Sequence, residues 1–231
     1  MLLFKKHTFL STQFFQGYTD FHCHILPGVD DGVKTMQQAL AVLGEEEKLG
    51  VSDVWCTPHI MEDIPNTTAD LRVRFDELCD EYKGSIRLHL AAEYMLDGLF
   101  RQRLEQGDLL TLGTDNQILV ETSYFNAPLR FHETLNEIKA KGYFPVLAHP
   151  ERYMYMDRKE DYDRLLEMGI RLQLNLGSLA GAYGKTAQHK AEKLLARQAY
   201  TFSGTDIHHL ELLQIILAAK APNGVAELKN K

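Results

Sequence analysis

Tyr18-Thr19-Asp20-Phe21-His22-Cys23-His24 runs through Ile25-Leu26-Pro27-Gly28-Val29 into Asp30-Asp31-Gly32. On an extended strand, residues two apart point to one face. His22 and His24 therefore aim together at one side, with Phe21 and Cys23 on the other, apolar side. Two imidazoles fixed on a rigid element make half of a metal site. The Pro27-Gly28 turn then brings carboxylates back toward the strand end. Among ten histidines in 231 residues, a lone His-x-His pair favours a chance surface pair, so its meaning depends on the rest of the chain.

Outward from this first strand (residues 19–24), apolar residues recur at helical spacing over 34–49, ending at Gly50. Buried strand-like runs and helical patterns then alternate. Strands are expected at 53–57, 86–92, 117–120, 144–148, 170–176 and 200–203. Helices are expected at 67–82, 97–105, 131–141, 161–168 and 187–197, several closed by glycine as helix ends commonly are. Strict alternation argues for a parallel sheet covered by helices, hence an α/β fold. At or just past six of the seven strand ends stands a residue able to bind metal: His22/His24, His59, Glu93, Glu121, His149 and Asp206/His208. The sixth strand offers only Asn175. In a closed barrel these ends converge on one face, where such barrels place their active sites.

Singly, each residue has a bland reading as a loop histidine, a strand leaving the core or a helix cap. Jointly the reading reverses, because a carboxylate ending a buried strand costs free energy unless paired or coordinated. With Asp31 the set holds five His, two Glu and two Asp, more than one catalytic zinc uses and suited to two or three ions. Imidazole with carboxylate and no thiolate favours Mn²⁺, Fe²⁺ or Zn²⁺. Three divalent ions against four carboxylates and a bridging hydroxide leave a net charge of about +1, which suits an anionic substrate such as a phosphate monoester.

Composition limits the alternatives. A formal net charge of −7 argues against non-specific nucleic-acid binding, which needs a basic footprint. Cys23, Cys56 and Cys79 are odd in number and form no C-x-x-C pair, so a reducing cytoplasm is the expected setting. The residues six positions after them are Val29, Glu62 and Ser85, so the C-x5-R cradle of cysteine phosphatases is absent. No apolar run has the length of a membrane-spanning helix. Residues 1–17 are expected to be a flexible or loosely docked arm, with Leu2, Leu3 and Phe4 open to weak membrane contact, and 18–231 a single domain.

His22-x-His24, Asp31, Thr57-Pro58-His59, Glu93, Glu121, His149 and Asp206-x-His208 resemble the ordered motifs of the polymerase-and-histidinol-phosphatase (PHP) superfamily. More narrowly, residues 24–32, Ala92-Glu93-Tyr94 and Ala148-His149-Pro150-Glu151-Arg152-Tyr153 resemble its bacterial protein-tyrosine phosphatases of the CpsB/YwqE type. The resemblance spans residues 18–215 and implies a distorted seven-stranded, TIM-barrel-like (β/α)7 PHP barrel holding three divalent ions, Mn²⁺ foremost. It assigns His22, His24, Glu93 and Asp206 to one ion, with Glu93 bridging to a second held by Glu121 and His149. Asp31, His59 and His208 would hold the third. Glu121 argues against amidohydrolase barrels, which typically place a carboxylated lysine near that strand end.

The implied activity is hydrolysis of phosphotyrosine on the tail of a tyrosine autokinase that governs capsule or exopolysaccharide synthesis. A hydroxide bridging two cations would attack phosphorus. Arg152 would grip phosphate oxygens as a planar fork; its bland alternatives are a solvated loop charge or an ion pair with Glu151. The CpsB/YwqE-type relatives carry a Gly-Arg after Asp-x-His. Here the chain reads His208-His209-Leu210, leaving His209 as a substitute or Arg152 alone. Tyr124, Tyr153, Tyr155 and Tyr183 either line a phosphotyrosine slot or serve the core. Two other readings stand: a phosphatase for a small metabolite such as histidinol phosphate, and a metal-loaded regulatory module without turnover.

Overall fold

The computed structural model describes residues 7–113 and 115–228. Among the described residues nine strands form two parallel sheets. One has the order β1 (Thr19–Cys23), β2 (Asp53–Cys56), β4 (Arg87–Leu90). The other runs β3 (His59–Ile60), β5 (Glu93–Met95), β6 (Gln117–Glu121), β7 (Phe144–Ala148), β8 (Arg171–Asn175), β9 (Phe202–Gly204). Seven strands are expected from the sequence and nine are present among the described residues, because a short strand follows just past two of the expected runs, β3 beyond 53–57 and β5 beyond 86–92. β2 and β3 are parted at Thr57-Pro58, where proline lacks an N–H for the ladder, and β4 and β5 are parted at Ala91-Ala92. The chain nevertheless continues the pairing across both breaks: Ala91 N–H donates to Cys56 O (2.9 Å) and Glu93 N–H to Pro58 O (3.0 Å).

The helices follow local chemistry. Helix α1 (Met36–Leu49) starts in a capping box between Thr35 and Gln38, ends at Gly50 (φ 86°), and buries Ala39, Val42, Leu43 and Glu46, the spacing of one helical stripe. Thr67 caps α2 (Thr68–Glu81), and Asp97 caps α3 (Gly98–Gln106). Then come α4 (Phe131–Ala140), α5 (Lys159–Glu167), the single turn α6 (Leu176–Leu179), α7 (Gly184–Ala196) and α8 (Leu210–Ala218).

Alternation along the buried strands separates two apolar layers. Ile118, Val120, Leu147, Leu172 and Leu174 join the main core, whereas Leu119, Val146, Ala148 and Phe202 form a second, smaller cluster. Strand period two puts Glu121 on the side of Leu119, and Gln173 and Asn175 opposite Leu172 and Leu174. The sheet thus has an apolar face toward the helices and an inner face that turns polar at the strand ends.

β1 departs from simple alternation. Its register to β2 shifts between Asp20 and Cys23, the mark of a bulge, which re-aims side chains. Phe21 packs on Phe202 in the inner cluster, while Cys23 belongs to the main core. The expectation that Phe21 and Cys23 share one face is corrected by that bulge.

Within the expected arm, the described residues are docked. Phe9 N–H donates to Ala219 O (3.0 Å) and Ala221 N–H to His7 O (2.9 Å). Phe9, Phe14, Phe15 and Tyr18 pack edge-on or tilted at 5.1–5.3 Å between successive ring centroids. All four are buried, and rings of this size dominate a core's apolar area. Leu2, Leu3 and Phe4 lie outside the described residues. No helix among the described residues is long and apolar enough to cross a membrane.

Candidate metal centre

The nine residues singled out in the sequence come together at the strand ends. His22 Nε2 lies 3.0 Å from His24 Nε2, 3.2 Å from Glu93 Oε2 and 3.3 Å from Asp206 Oδ1. Glu93 Oε2 is also 3.4 Å from His24 Nε2 and 3.2 Å from His59 Nδ1, while Glu93 Oε1 is 3.0 Å from His149 Nε2. Glu121 approaches His59 Nδ1 at 3.2 Å and His149 Nε2 at 3.9 Å. Asp31, exposed at its side chain, faces His59 Nε2 at 3.5 Å and His208 Nε2 at 3.3 Å.

Four overlapping groups have their donor atoms within 4.8 Å of one another: His22/His24/Glu93, His22/His149/Asp206, His59/Glu93/Glu121 and His24/Asp31/His59/His208. His59 therefore stands between two groups, Nδ1 toward Glu93 and Glu121 and Nε2 toward Asp31. The implied ligand sets give it to the third ion alone.

These residues fit a cation. Glu93 Oε2, His59 Nδ1 and His149 Nδ1 are buried without hydrogen-bond partners, and buried polar atoms seldom remain so unless a water or ion meets them. The imidazoles are held by their other nitrogen. His22 Nδ1 meets Gln173 Oε1 at 2.6 Å, and Gln173 Nε2 donates to Phe21 O at 3.2 Å, fixing Oε1 as acceptor. His24 Nδ1 donates to Asp30 Oδ2 (2.8 Å) and His208 Nδ1 to Asp206 O (2.9 Å). All three histidines thereby present a free Nε2 to the centre, the arrangement that orients imidazole ligands.

Electrostatics follow the same geometry. Burial pulls the His22 imidazolium down, yet Glu93 and Asp206 outweigh it and raise His22 to about 9. For Glu93 and Asp206 burial pushes upward, but the surrounding imidazoles hold both carboxyls well below the usual range. The hydrogen bond to His208 lowers Asp31, against some desolvation. Cations at this centre would replace protons.

Backbone strain and close approach build the site. His149 (φ 35°) and Asp206 (φ 54°) are non-glycine residues in the left-handed region, a conformation that persists only where the surroundings impose it. A Cβ on Gly32 would lie 2.0 Å from His24 O, and one on Gly204 2.3 Å from His22 Cβ. Only glycine lets those segments come so near.

Arg152 lies at the edge of the cluster, its side chain 16 % exposed. Nη1 donates to Asp206 Oδ2 (2.9 Å), and the guanidinium sits 4.4 Å from the Tyr124 ring centroid and 4.0 Å from that of Tyr183. Its ion-pair partner is thus Asp206, not Glu151. Glu151 is buried and accepts from Asn175 N–H (3.1 Å) and Tyr200 OH (2.9 Å). Tyr153 and Tyr155 serve the framework: Tyr153 OH donates to Ala148 O (2.9 Å) and Tyr155 OH meets Thr122 Oγ1 (2.5 Å). His209 lies outside the cluster, 60 % exposed and 3.2 Å from Glu211, in a groove of about 360 Å³ that also reaches Asp31, His208 and Lys34.

Sequence reasoning missed Gln173, Asp30 and Asp20 as partners of the candidate ligands. Asp30 joins His24 to His59, accepting His59 N–H at 3.1 Å as well. For Gln173 the available signal was its place two residues before Asn175, on the same face of a strand whose other face carries Leu172 and Leu174.

Residues 18–214 match the family model described as capsular polysaccharide synthesis, CpsB/CapC. The chain is 30% identical over 197 residues to the tyrosine-protein phosphatase YwqE of Bacillus subtilis, covering 83% of this chain and 78% of that one. It is 29% identical over 204 residues to the tyrosine-protein phosphatase CpsB of Streptococcus pneumoniae, covering 83% of each. Among solved structures, one of the metal-dependent tyrosine phosphatases YwqE and CpsB superposes with TM-score 0.77 at 28% identity, over 84% of this chain and 81% of that one. A lactonase from Listeria monocytogenes superposes with TM-score 0.51 at 11% identity, over 93% of this chain and 85% of that one, a likeness of fold alone.

Proposed function

From the premise that the chain belongs to the CpsB/CapC family of capsular polysaccharide synthesis, we propose that it is a metal-dependent protein-tyrosine phosphatase. The observation that carries this reading is the convergence of five imidazoles and four carboxylates beside one anchored guanidinium. His22, His24, Asp31, His59, Glu93, Glu121, His149, Asp206 and His208 would hold three divalent ions within a PHP barrel, seven-stranded if β2 with β3 and β4 with β5 each count as one interrupted strand, Mn²⁺ first and Fe²⁺ or Zn²⁺ as alternatives. When bound, such ions lower the pKa of water and offset charge on a transferring phosphoryl group.

The chain's own residues do the rest. Asp206 Oδ2 and the Tyr124 and Tyr183 rings fix Arg152, so its remaining N–H groups meet phosphate oxygens at little entropic cost. A phenolate leaves with less proton help than an alkoxide, since phenol has a pKa of about 10, so a strong general acid is not required. His209, in the groove beside Asp31 and His208, is the candidate second contact to phosphate.

A protein substrate, the phosphorylated tail of a tyrosine autokinase in the cytoplasm, suits the mouth of the site better than a small metabolite. Phe125 and Met154 are 69 % and 61 % exposed and adjoin Tyr124, whose carbonyl accepts Met154 N–H at 2.7 Å. Apolar surface beside a catalytic mouth is what a peptide flank can cover.

Initial rates on p-nitrophenyl phosphate, a phosphotyrosine peptide and histidinol phosphate, with and without Mn²⁺, test the proposal. Metal-dependent turnover with preference for the peptide is expected. Preference for histidinol phosphate would sink the protein-phosphatase reading, and no turnover at full metal content would leave a regulatory module.

A further inference from the structure

β1 and β9 meet at the seam of the sheet, and the two are not joined by a regular ladder among the described residues. A single bridge pairs Cys23 with Ile207, with Asp206 N–H donating to His22 O (2.7 Å) and His24 N–H to Ile207 O (2.9 Å). Two ligands face each other across this join, His22 from one side and Asp206 from the other, with His22 Nε2 and Asp206 Oδ1 3.3 Å apart. Everything nearby is geometrically demanding: the bulge in β1, the positive φ of Asp206, and Gly204 pressed against His22.

Tyr18 OH meets Ser203 Oγ of β9 at 3.1 Å, and beside it the carboxylate of Asp20, which is fully buried, also spans the seam. Its Oδ1 accepts His22 N–H (3.2 Å) and Thr205 N–H (2.9 Å), while Oδ2 accepts the Thr205 hydroxyl. One carboxylate thus binds the backbone of one ligand and the residue immediately before the other. It reaches neither ligand's donor atoms. Arg152 and Asn175 hold the far oxygen of Asp206, with Asn175 Nδ2 at 2.6 Å, so side chain and backbone of Asp206 are fixed from opposite ends.

We propose that Asp20 is a positioning residue of the metal centre: its carboxylate clasps β1 to the 204–206 turn and sets the register at which His22 and Asp206 can share an ion. The function is that of an acceptor, so the negative charge is dispensable. The inference rests on the reading of the cluster as a metal centre.

The test compares Asp20→Leu, which keeps size and loses the acceptors, with Asp20→Asn, which keeps Oδ1 for both N–H groups, and Thr205→Val, which removes one of the three bonds. Each full-length protein is loaded with Mn²⁺ and challenged with a chelator, with metal content read by elemental analysis and folding by circular dichroism. Folded Asp20→Leu is expected to lose Mn²⁺ at about 10- to 100-fold lower chelator, the usual scale for removing a ligand's supporting contact, with Asp20→Asn within about threefold of wild type and Thr205→Val between them. Folded Asp20→Leu with wild-type retention overturns the proposal, as does Asp20→Asn as damaged as Asp20→Leu. If Asp20→Leu does not fold, Thr205→Val decides, and unchanged retention there overturns the proposal. Wild-type protein that takes up no Mn²⁺ sinks the metal-centre reading itself; wild-type protein that binds it beside unaffected variants sinks only the role of Asp20.

Discussion

Replacing Arg152 by Ala separates phosphate binding from metal binding. The guanidinium is preorganised between the rings of Tyr124 and Tyr183, with one nitrogen spent on Asp206. Removing a prepositioned donor to developing charge costs about 2–4 kcal/mol. At about 1.36 kcal/mol per tenfold, kcat/KM should fall roughly 30- to 900-fold. The same deletion removes two ring contacts of about 0.5–2 kcal/mol each, so midpoint urea should also fall. Mn²⁺ content should stay at the wild-type level, because Asn175 still holds Asp206 Oδ2 and Asp206 Oδ1 still faces His22 and His24. The assay is p-nitrophenyl phosphate hydrolysis beside elemental analysis of the same sample. His149→Ala is the contrast, expected to lose metal together with rate. Activity of Arg152→Ala within about threefold of wild type would refute phosphate contact by that side chain. Rate and metal lost together would instead mean that Arg152 acts through Asp206.

Two further perturbations test the packing and protonation of the centre. Gly32→Ala would set a methyl 2.0 Å from the His24 carbonyl oxygen; backbone must move, so urea unfolding should show a loss of about 1–3 kcal/mol, and wild-type stability would contradict the close approach. In protein stripped by chelator, His22 is raised from 6.5 to about 9. A raised imidazole stabilises the fold fully below its unfolded value and loses that contribution as pH rises through its folded one. The melting temperature of stripped protein should therefore fall between pH 6.5 and about 9, while Mn²⁺ affinity rises over the same window as the competing proton leaves. A flat melting curve beside a pH-independent affinity would remove this account.

The candidate ligands were legible in the sequence because of what they cost. Glu121 ends a strand that is buried along its whole length, and a carboxylate there has few explanations other than a cation or a pair. His22, Glu93, His149 and Asp206 are conspicuous for the same reason, and the alternation of strand and helix already told which ends would converge. The strand count was less legible, since β3 and β5 are only two and three residues long and resume just past Pro58 and the Ala91-Ala92 pair. The docking of residues 7–17 was hidden too: Phe9, Phe14 and Phe15 follow neither helical nor strand period, and the backbone partners of this segment, Ala219 for Phe9 and Ala221 for His7, lie some two hundred residues away.

The residues that hold the ligands escaped for a related reason. Gln173, Asp30 and Asp20 carry ordinary side chains whose roles depend on which backbone lies opposite, and that depends on tertiary register rather than on local spacing. Asp20 and Asp30 sit in the very stretch from which the centre can be read, yet nothing in Asp20-x-His22 distinguishes a clasp from a ligand or from a solvated strand end. Parity along a regular strand would even place Asp20 beside His22 on the inner face. The β1 bulge breaks that parity, leaving Asp20 free to take the N–H groups of His22 and Thr205 while Phe21 packs inward. Where a strand must deliver two imidazoles to one cluster and also close a sheet against Asp206, a uniform pleat cannot meet both demands. The irregularity is thus part of how the centre is assembled, and it is the feature that a reading based on alternation is bound to miss.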